Sequence, residues 1–292
     1  MEVIFTGVAT ALYTPFTKNG IDFEQFERCI KRQLKAKVDA LVFLGTTGES
    51  STVTQKERKQ IIEFAVSRLK GKLPVIIGAG SNCTKTACEL SLQAKELGAD
   101  CILSVTPYYN KCEQEGLIQH YKEICKSVKL PLICYNVPKR TGVNIEPKTA
   151  LTLSKIDCVC GIKEANTDIN HVKKLFDLVD EKTPIYCGSD ELLKEFFSLG
   201  AKGVISVASN VIPLKIKEFI SDFENYYKIS NFDFDKFFKL LSYRVNPIPI
   251  KTVASIIYGE KCRFRLPLTF PDKVTCEYFK RQLNMLRIKD IL

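Results

Sequence analysis

The chain has 292 residues, enough for one large domain or for a barrel with an appendage. Its hydrophobic share of 45% fits a water-soluble globular fold, and no apolar run is long enough to cross a bilayer, so no membrane role is expected. The net charge of +10 comes from scattered lysines and arginines without a basic run interleaved with aromatics. That pattern argues against nucleic-acid binding and leaves a solvated surface whose field attracts small anions.

The first residues, Met1-Glu2-Val3-Ile4-Phe5, lack a basic segment and a cleavage site, so no secretory signal is expected. From there short apolar runs alternate with amphipathic windows. The runs 7–12, 40–44, 74–79, 101–105, 131–136, 159–163, 185–187 and 203–207 read as strands buried on both faces, as in a parallel sheet. The windows 23–37, 55–69, 85–97, 115–128, 147–154, 169–180, 191–199 and 213–223 read as helices. Ile61, Ile62, Ala65, Val66 and Leu69 form one helical stripe, and Thr54 with Glu57 makes a capping-box pattern. Eight β-then-α units predict a (β/α)8 TIM barrel over 1–224. A doubly wound open sheet would place a Gly-rich phosphate turn after its first strand. Here that strand runs into Leu12-Tyr13-Thr14-Pro15, and Gly45-Thr46-Thr47-Gly48 is neither a dinucleotide fingerprint nor a Walker loop. After Asn225 the alternation stops. Asn231-Phe232-Asp233 reads as a linker or cap, and windows 234–242, 249–258 and 271–286 predict a small helical C-terminal domain over 225–292.

The chain carries twelve cysteines. Cys101, Cys134, Cys158, Cys160 and Cys187 fall in strand-like runs, where Cys serves as a small hydrophobe. There is no C-x-x-C, and the two histidines, His120 and His171, are far apart, so no metal site is expected. Reduced thiols in a cytoplasmic protein fit this usage better than a disulfide framework.

The sixth run, with Gly161-Ile162-Lys163-Glu164-Ala165 at its end, reads as a buried strand that terminates in an ammonium. Desolvation drives a buried lysine toward its neutral amine, which attacks carbonyls and forms Schiff bases. The segment by itself fits equally a lysine that snorkels to solvent. In a barrel, chemistry gathers at the C-terminal ends of the strands. There the second run delivers Gly45-Thr46-Thr47-Gly48-Glu49-Ser50, and the fourth Thr106-Pro107-Tyr108-Tyr109-Asn110. The fifth delivers Tyr135-Asn136-Val137-Pro138 and Arg140-Thr141-Gly142, the seventh Gly188-Ser189-Asp190, and the eighth Ser206. Singly, each has a plain structural reading: turn glycines, core or interface tyrosines, a surface arginine, paired structural carboxylates at Glu49 and Glu164. Together with Lys163 they equip an iminium reaction on a small keto acid.

The stretches Gly45–Ser50, Tyr108-Tyr109-Asn110, Tyr135-Asn136-Val137-Pro138-x-Arg140-Thr141-Gly142 and Gly161-Ile162-Lys163-Glu164 resemble the dihydrodipicolinate synthase family, collinearly from about Gly7 to Asn210. The resemblance implies a class I aldolase-type barrel, usually a homotetramer of two tight dimers, without cofactor or metal. It implies condensation of pyruvate with L-aspartate 4-semialdehyde to 4-hydroxy-tetrahydrodipicolinate, toward diaminopimelate and lysine. By position, Lys163 would form the Schiff base and Tyr135 would donate and accept protons. Thr46 would link Tyr135 to Tyr109, which in the family reaches across the dimer interface into the neighbouring site. Thr47 would bind the pyruvate carboxylate, Arg140 the semialdehyde carboxylate, and Gly188 and Ile205 would shape the pocket through their backbone.

Sister keto-acid lyases of the N-acetylneuraminate lyase and 2-keto-3-deoxygluconate aldolase types share the barrel and lysine. A sugar acid calls for many hydroxyl partners, whereas Arg140 offers one charge to a short carboxylated aldehyde. A pyridoxal-phosphate barrel would want a phosphate cradle where Asp190 places a carboxylate. A non-catalytic ligand-binding paralogue would have lost part of the set Lys163, Tyr135, Thr46 and Tyr109. In lysine-regulated relatives an effector crevice maps onto Ser50, Asn82 and Tyr108. Thr86 replaces an acidic residue there and Arg58 a histidine, so feedback by L-lysine is expected to be weak or absent.

Overall fold

A computed structural model describes residues 3–225 and 232–288. The reading of the first residues concerns Met1 and Glu2 in part, and these, with Asn231, lie outside the described residues. Eight parallel strands close into a barrel in which each pairs with the next and β8 returns to β1. They are β1 (Gly7–Ala11), β2 (Ala40–Phe43), β3 (Val75–Gly78), β4 (Cys101–Val105), β5 (Leu132–Asn136), β6 (Val159–Glu164), β7 (Ile185–Cys187) and β8 (Gly203–Ser206). The expected (β/α)8 architecture is therefore the observed one. Apolar runs become strands here because both faces are covered, by helices outside and by side chains in the barrel interior.

Helices follow the strands close to the expected windows, for example Phe23–Lys35, Gln55–Leu69 and Ile169–Leu178. The capping box at Thr54 is formed: Glu57 N donates to Thr54 Oγ1 at 3.3 Å and Thr54 N to Glu57 Oε2 at 3.0 Å. Two local departures bear on the site. The window 191–199 is a 3-10 turn, Asp190–Leu192, followed by the helix Leu193–Ser198. Asp190 spends its carboxylate on the turn after β8, as described below, and not on capping a regular helix. A short helix, Pro138–Thr141, not anticipated from periodicity, follows β5.

Side chains alternate between an outer core, between barrel and helices, and an inner core. The inner set includes Ala9, Ala11, Val42, Leu103, Ile133, Tyr135, Cys160, Tyr186 and Ile205. Its lower end is plugged by Tyr186, whose ring stacks on Phe5 at 4.3 Å and whose hydroxyl donates to Phe5 O at 3.0 Å.

The expectation of reduced thiols is corrected at one pair. Cys125, in the helix Gln114–Val128, and Cys158, just before β6, are joined in a disulfide. Their Cα atoms stand 5.7 Å apart, within disulfide reach. This closeness lies in tertiary packing and leaves no trace in residue spacing. The other cysteines are free, with Cys101, Cys134, Cys160 and Cys187 buried.

Beyond the barrel, Asp233 caps the helix Phe234–Leu241 through the N–H of Lys236 at 2.9 Å. The helices Ile248–Tyr258 and Lys273–Met285 complete the C-terminal part. These helices are bound to the turn after β2. Lys251 Nζ donates to Glu49 Oε1 at 2.5 Å, to Thr14 O at 3.0 Å and to Arg263 O at 2.7 Å. All three ammonium donors are thus used, which a buried lysine requires. The rings of Phe16 and Phe264 flank it at 4.6 and 4.8 Å. Arg265 adds an ion pair to Glu57 and a bond to Thr52 O at 2.8 Å. No helix among the described residues is long and apolar enough to cross a membrane.

Candidate active site

The phase of β6 decides where its lysine points. Leu132 pairs with Val159 but Ile133 pairs with Gly161, so one residue is skipped between them. A one-residue shift exchanges the two faces of a strand. Above this irregularity Tyr135 pairs with Lys163, both facing inward, and Asn136 with Glu164, both facing outward. Lys163 is 6% exposed, and its Nζ lies 4.1 Å from the Tyr135 ring centroid. Of the two readings left open for this lysine, the buried one is observed.

The outward pair is locked. Asn136 Nδ2 donates to both Glu164 oxygens, at 3.0 and 2.9 Å, and Asn166 N donates to Glu164 Oε1 at 2.6 Å. His171 Nε2 lies 3.4 Å from Glu164 Oε2. Burial pulls the His171 pKa down, but the Glu164 carboxylate outweighs it and holds the imidazole above its ordinary value. Glu164 is fully buried and is engaged on the side of the strand away from Lys163, so it does not pair with the amine. The reading of Glu164 as a structural carboxylate is correct. Its partner is His171, whereas Glu49 belongs to Lys251.

Above Lys163 opens a cavity of about 320 Å3 lined by Gly45, Thr46, Thr47, Tyr135, Arg140, Lys163, Gly188 and Asp190 among others. In the turn after β2, Gly48 N and Glu49 N donate to Gly45 O and Thr46 O, both at 3.1 Å. The N–H groups of Thr46 and Thr47 have no hydrogen-bond partner among the described residues. The turn thus presents free donors beside the Thr47 hydroxyl, an arrangement suited to a carboxylate. The hydroxyl of Thr46 makes no hydrogen bond within the chain to Tyr135 or Tyr109.

Arg140 stands at the cavity rim on the short helix after β5, with Nη2 donating to Asn246 O at 3.0 Å. Tyr109 does not line this cavity. It is 88% exposed, with φ at +76°, a conformation costly for a bulky residue. Its N–H donates to Thr141 O at 3.3 Å, and Thr106 and Thr141 hydroxyls meet at 3.0 Å, so the tyrosine loop is fastened to the Arg140 turn. Gly188 must be glycine: a Cβ there would stand 2.8 Å from Glu164 O. Ile205 is buried in the inner core and does not border the cavity. Ser206, also buried, accepts from Ser209 N at 2.9 Å and is likewise not part of the lining.

Sequence reasoning missed a group of lining residues. Phe238 and Leu241 come from the helix Phe234–Leu241, Ser242, Arg244 and Asn246 from the segment that follows it, and together they cover the open end of the barrel. Asn246 Nδ2 donates to Thr47 Oγ1 at 3.0 Å. The only signal was the polar break Ser242–Pro247 between two apolar helical windows. Among the described residues no group of three or more His, Cys, Asp or Glu converges to hold a metal ion.

A buried amine against a phenol, free N–H donors and a guanidinium at the rim can hold a keto acid, form an imine and present a second anion to it. Comparison with known proteins agrees with this chemistry. The model of the dihydrodipicolinate synthetase family matches residues 4–285. The 4-hydroxy-tetrahydrodipicolinate synthase of Alkaliphilus oremlandii is 48% identical over 275 residues, covering 93% of this chain and 95% of that protein. The crystal structure of dihydrodipicolinate synthase from Thermotoga maritima superposes with a TM-score of 0.93 at 38% identity, over 98% of this chain and 99% of that one. The Cyanidioschyzon merolae enzyme, solved with lysine bound, gives 0.91 at 31% identity over the whole of both chains.

Proposed function

The chain belongs to the dihydrodipicolinate synthetase family, and we propose that it condenses pyruvate with L-aspartate 4-semialdehyde to 4-hydroxy-tetrahydrodipicolinate. The observation that carries this reading is the Lys163 amine, buried beside the Tyr135 ring at the floor of a small cavity with Arg140 at its rim. Lys163 attacks the keto carbon of pyruvate, water leaves, and an imine forms. The pyruvate carboxylate rests on the Thr47 hydroxyl and the N–H groups of Thr46 and Thr47. Loss of a methyl proton gives an enamine whose carbon attacks the aldehyde, and Tyr135 moves the protons of these steps. The amine of the second substrate then displaces Lys163 from the former keto carbon, closing the ring and freeing the enzyme. Gly188 keeps the end of β7 close against β6. Ile205 acts from the inner core beneath the cavity, through packing. The experiment is turnover with the two substrates, paired with trapping of the pyruvate imine by borohydride. Turnover of N-acetylneuraminate or 2-keto-3-deoxygluconate in place of the semialdehyde would overturn the reading in favour of a sister lyase.

Tyr109 supports a tight dimer: it is held in a strained, exposed conformation away from its own cavity, as expected of a residue serving a neighbouring site. A tetramer of two such dimers, working in the cytoplasm, is the assembly we infer.

Two outcomes follow for substrate and effector. Arg140→Ala retains pyruvate adduct formation but raises the KM for the semialdehyde about ten- to a hundredfold, the worth of a charge-assisted hydrogen bond. Steady-state kinetics with each substrate varied checks it; an unchanged KM removes Arg140 from the second-substrate site. L-lysine inhibits weakly or not at all. The Arg58 side chain is buried, donates to Gly78 O at 2.8 Å, and is pushed down to about 10 by burial, which leaves it a cation at neutral pH. Thr86 brings no countercharge. A cationic effector therefore meets a like charge in the mapped crevice. Initial rates against L-lysine decide, and inhibition at submillimolar concentrations would refute this account.

A further inference from the structure

The reaction above leaves Asp190 without a task. Asp190 lines the cavity and begins the 3-10 turn after β7. Its Oδ2 accepts from Val207 N and Ala208 N, both at 2.9 Å, which fixes the turn after β8. Its Oδ1 is buried and has no hydrogen-bond partner among the described residues. The Ser206 hydroxyl stands beside the carboxylate and draws its pKa down. Holding the turn thus uses one oxygen and leaves the other open.

We propose that Asp190 receives the α-ammonium group of the second substrate and thereby selects an amino-acid aldehyde over its deamino counterpart. This rests on the reaction proposed above. That substrate carries a carboxylate and an ammonium on one carbon. The barrel offers complementary charges on the two sides of β6: Arg140 follows β5, and Asp190, with Glu191 next to it on the same cavity, follows β7. An ammonium is all donor, and a buried carboxylate oxygen lacking a donor is its natural complement. Burial holds the Asp190 pKa above its ordinary value against the pull of Ser206, the two N–H groups and Lys163, which draw it down. A second cation at Oδ1 extends the same stabilisation. Asp190 and Lys163 line the same cavity, so a substrate nitrogen held by Asp190 stays within the space where it must close on the imine carbon.

The test compares aspartate semialdehyde with succinate semialdehyde, which lacks the amino group. In Asp190→Asn the KM for aspartate semialdehyde is expected to rise about ten- to a hundredfold. Inhibition by succinate semialdehyde and the yield of borohydride-trapped pyruvate adduct should stay within about twofold of the wild type. Asp190→Glu should recover part of the loss. Equal losses for both aldehydes, or loss of the pyruvate adduct, would make Asp190 a prop for the turn and Lys163 and overturn the proposal. The wild type gives a check that needs no variant: succinate semialdehyde should bind at least tenfold more weakly than aspartate semialdehyde, and equal binding would also overturn it. Failure of the proposed reaction itself shows separately, as absence of wild-type turnover with aspartate semialdehyde.

Discussion

Lys163→Ala is expected to leave a folded barrel that captures no pyruvate and turns over no substrate. Incubated with pyruvate and borohydride, the wild type gains the mass of one reduced adduct, and the variant gains none. The fold survives because β6 is held by its backbone pairing and by the Glu164 network on its outer face, neither of which uses the amine. What is lost structurally is the contact of Nζ with the Tyr135 ring, worth about 0.5–2 kcal/mol. What is lost chemically is the nucleophile. Lys139 also borders the cavity, but it is exposed on the short helix after β5 and is not at the floor. An adduct persisting on the variant would move the chemistry there.

Tyr135→Phe is expected to lower kcat by about 10²–10⁴-fold, the usual worth of a general acid–base group, with little change in melting temperature. The ring keeps its place in the inner core and loses only the hydroxyl. Near-normal turnover in this variant would assign the protons elsewhere. Tyr109→Phe should show a smaller loss of the same kind. Because Tyr109 turns away from its own cavity, mixing impaired Tyr109→Phe chains with inactive Lys163→Ala chains should raise activity in the mixed dimers above that of either variant alone. Each mixed dimer then contains one site with both groups intact. Verified mixed dimers without recovered activity would place Tyr109 outside the relay.

The parallel strands were legible because burial on both faces leaves unbroken apolar runs, and a polar residue at the end of such a run marks the catalytic rim. Lys163, Tyr135 and the Thr46–Thr47 turn were visible on that ground, and the family resemblance agreed with it. The phase of Lys163 was not visible. It depends on the residue skipped between Val159 and Gly161, and a pairing irregularity has no signature in a single strand's composition. Asn246 and Arg244 were missed for a related reason: their segment reads as a break between helices, and only tertiary packing brings it over the barrel mouth. The Cys125–Cys158 bond is likewise a product of packing. Asp190 was seen as a carboxylate at a strand end, but its division into one engaged and one open oxygen is a matter of atomic geometry.

The ties between the C-terminal helices and the turn after β2 carry a consequence for the order in which the molecule matures. Asn246 reaches Thr47 across 199 residues of sequence, Lys251 reaches Glu49 across 202, and Arg265 reaches Glu57 across 208. Contacts of such separation form late, because the chain between them must already be ordered before they repay its loss of freedom. During synthesis all eight strands are made before Asn246 and Lys251 exist. The nascent barrel can therefore close with the turn after β2 unsecured and its mouth uncovered. Docking of the helices then secures the turn and covers the mouth, and a chain cut short after β8 has the barrel's strands without that clasp.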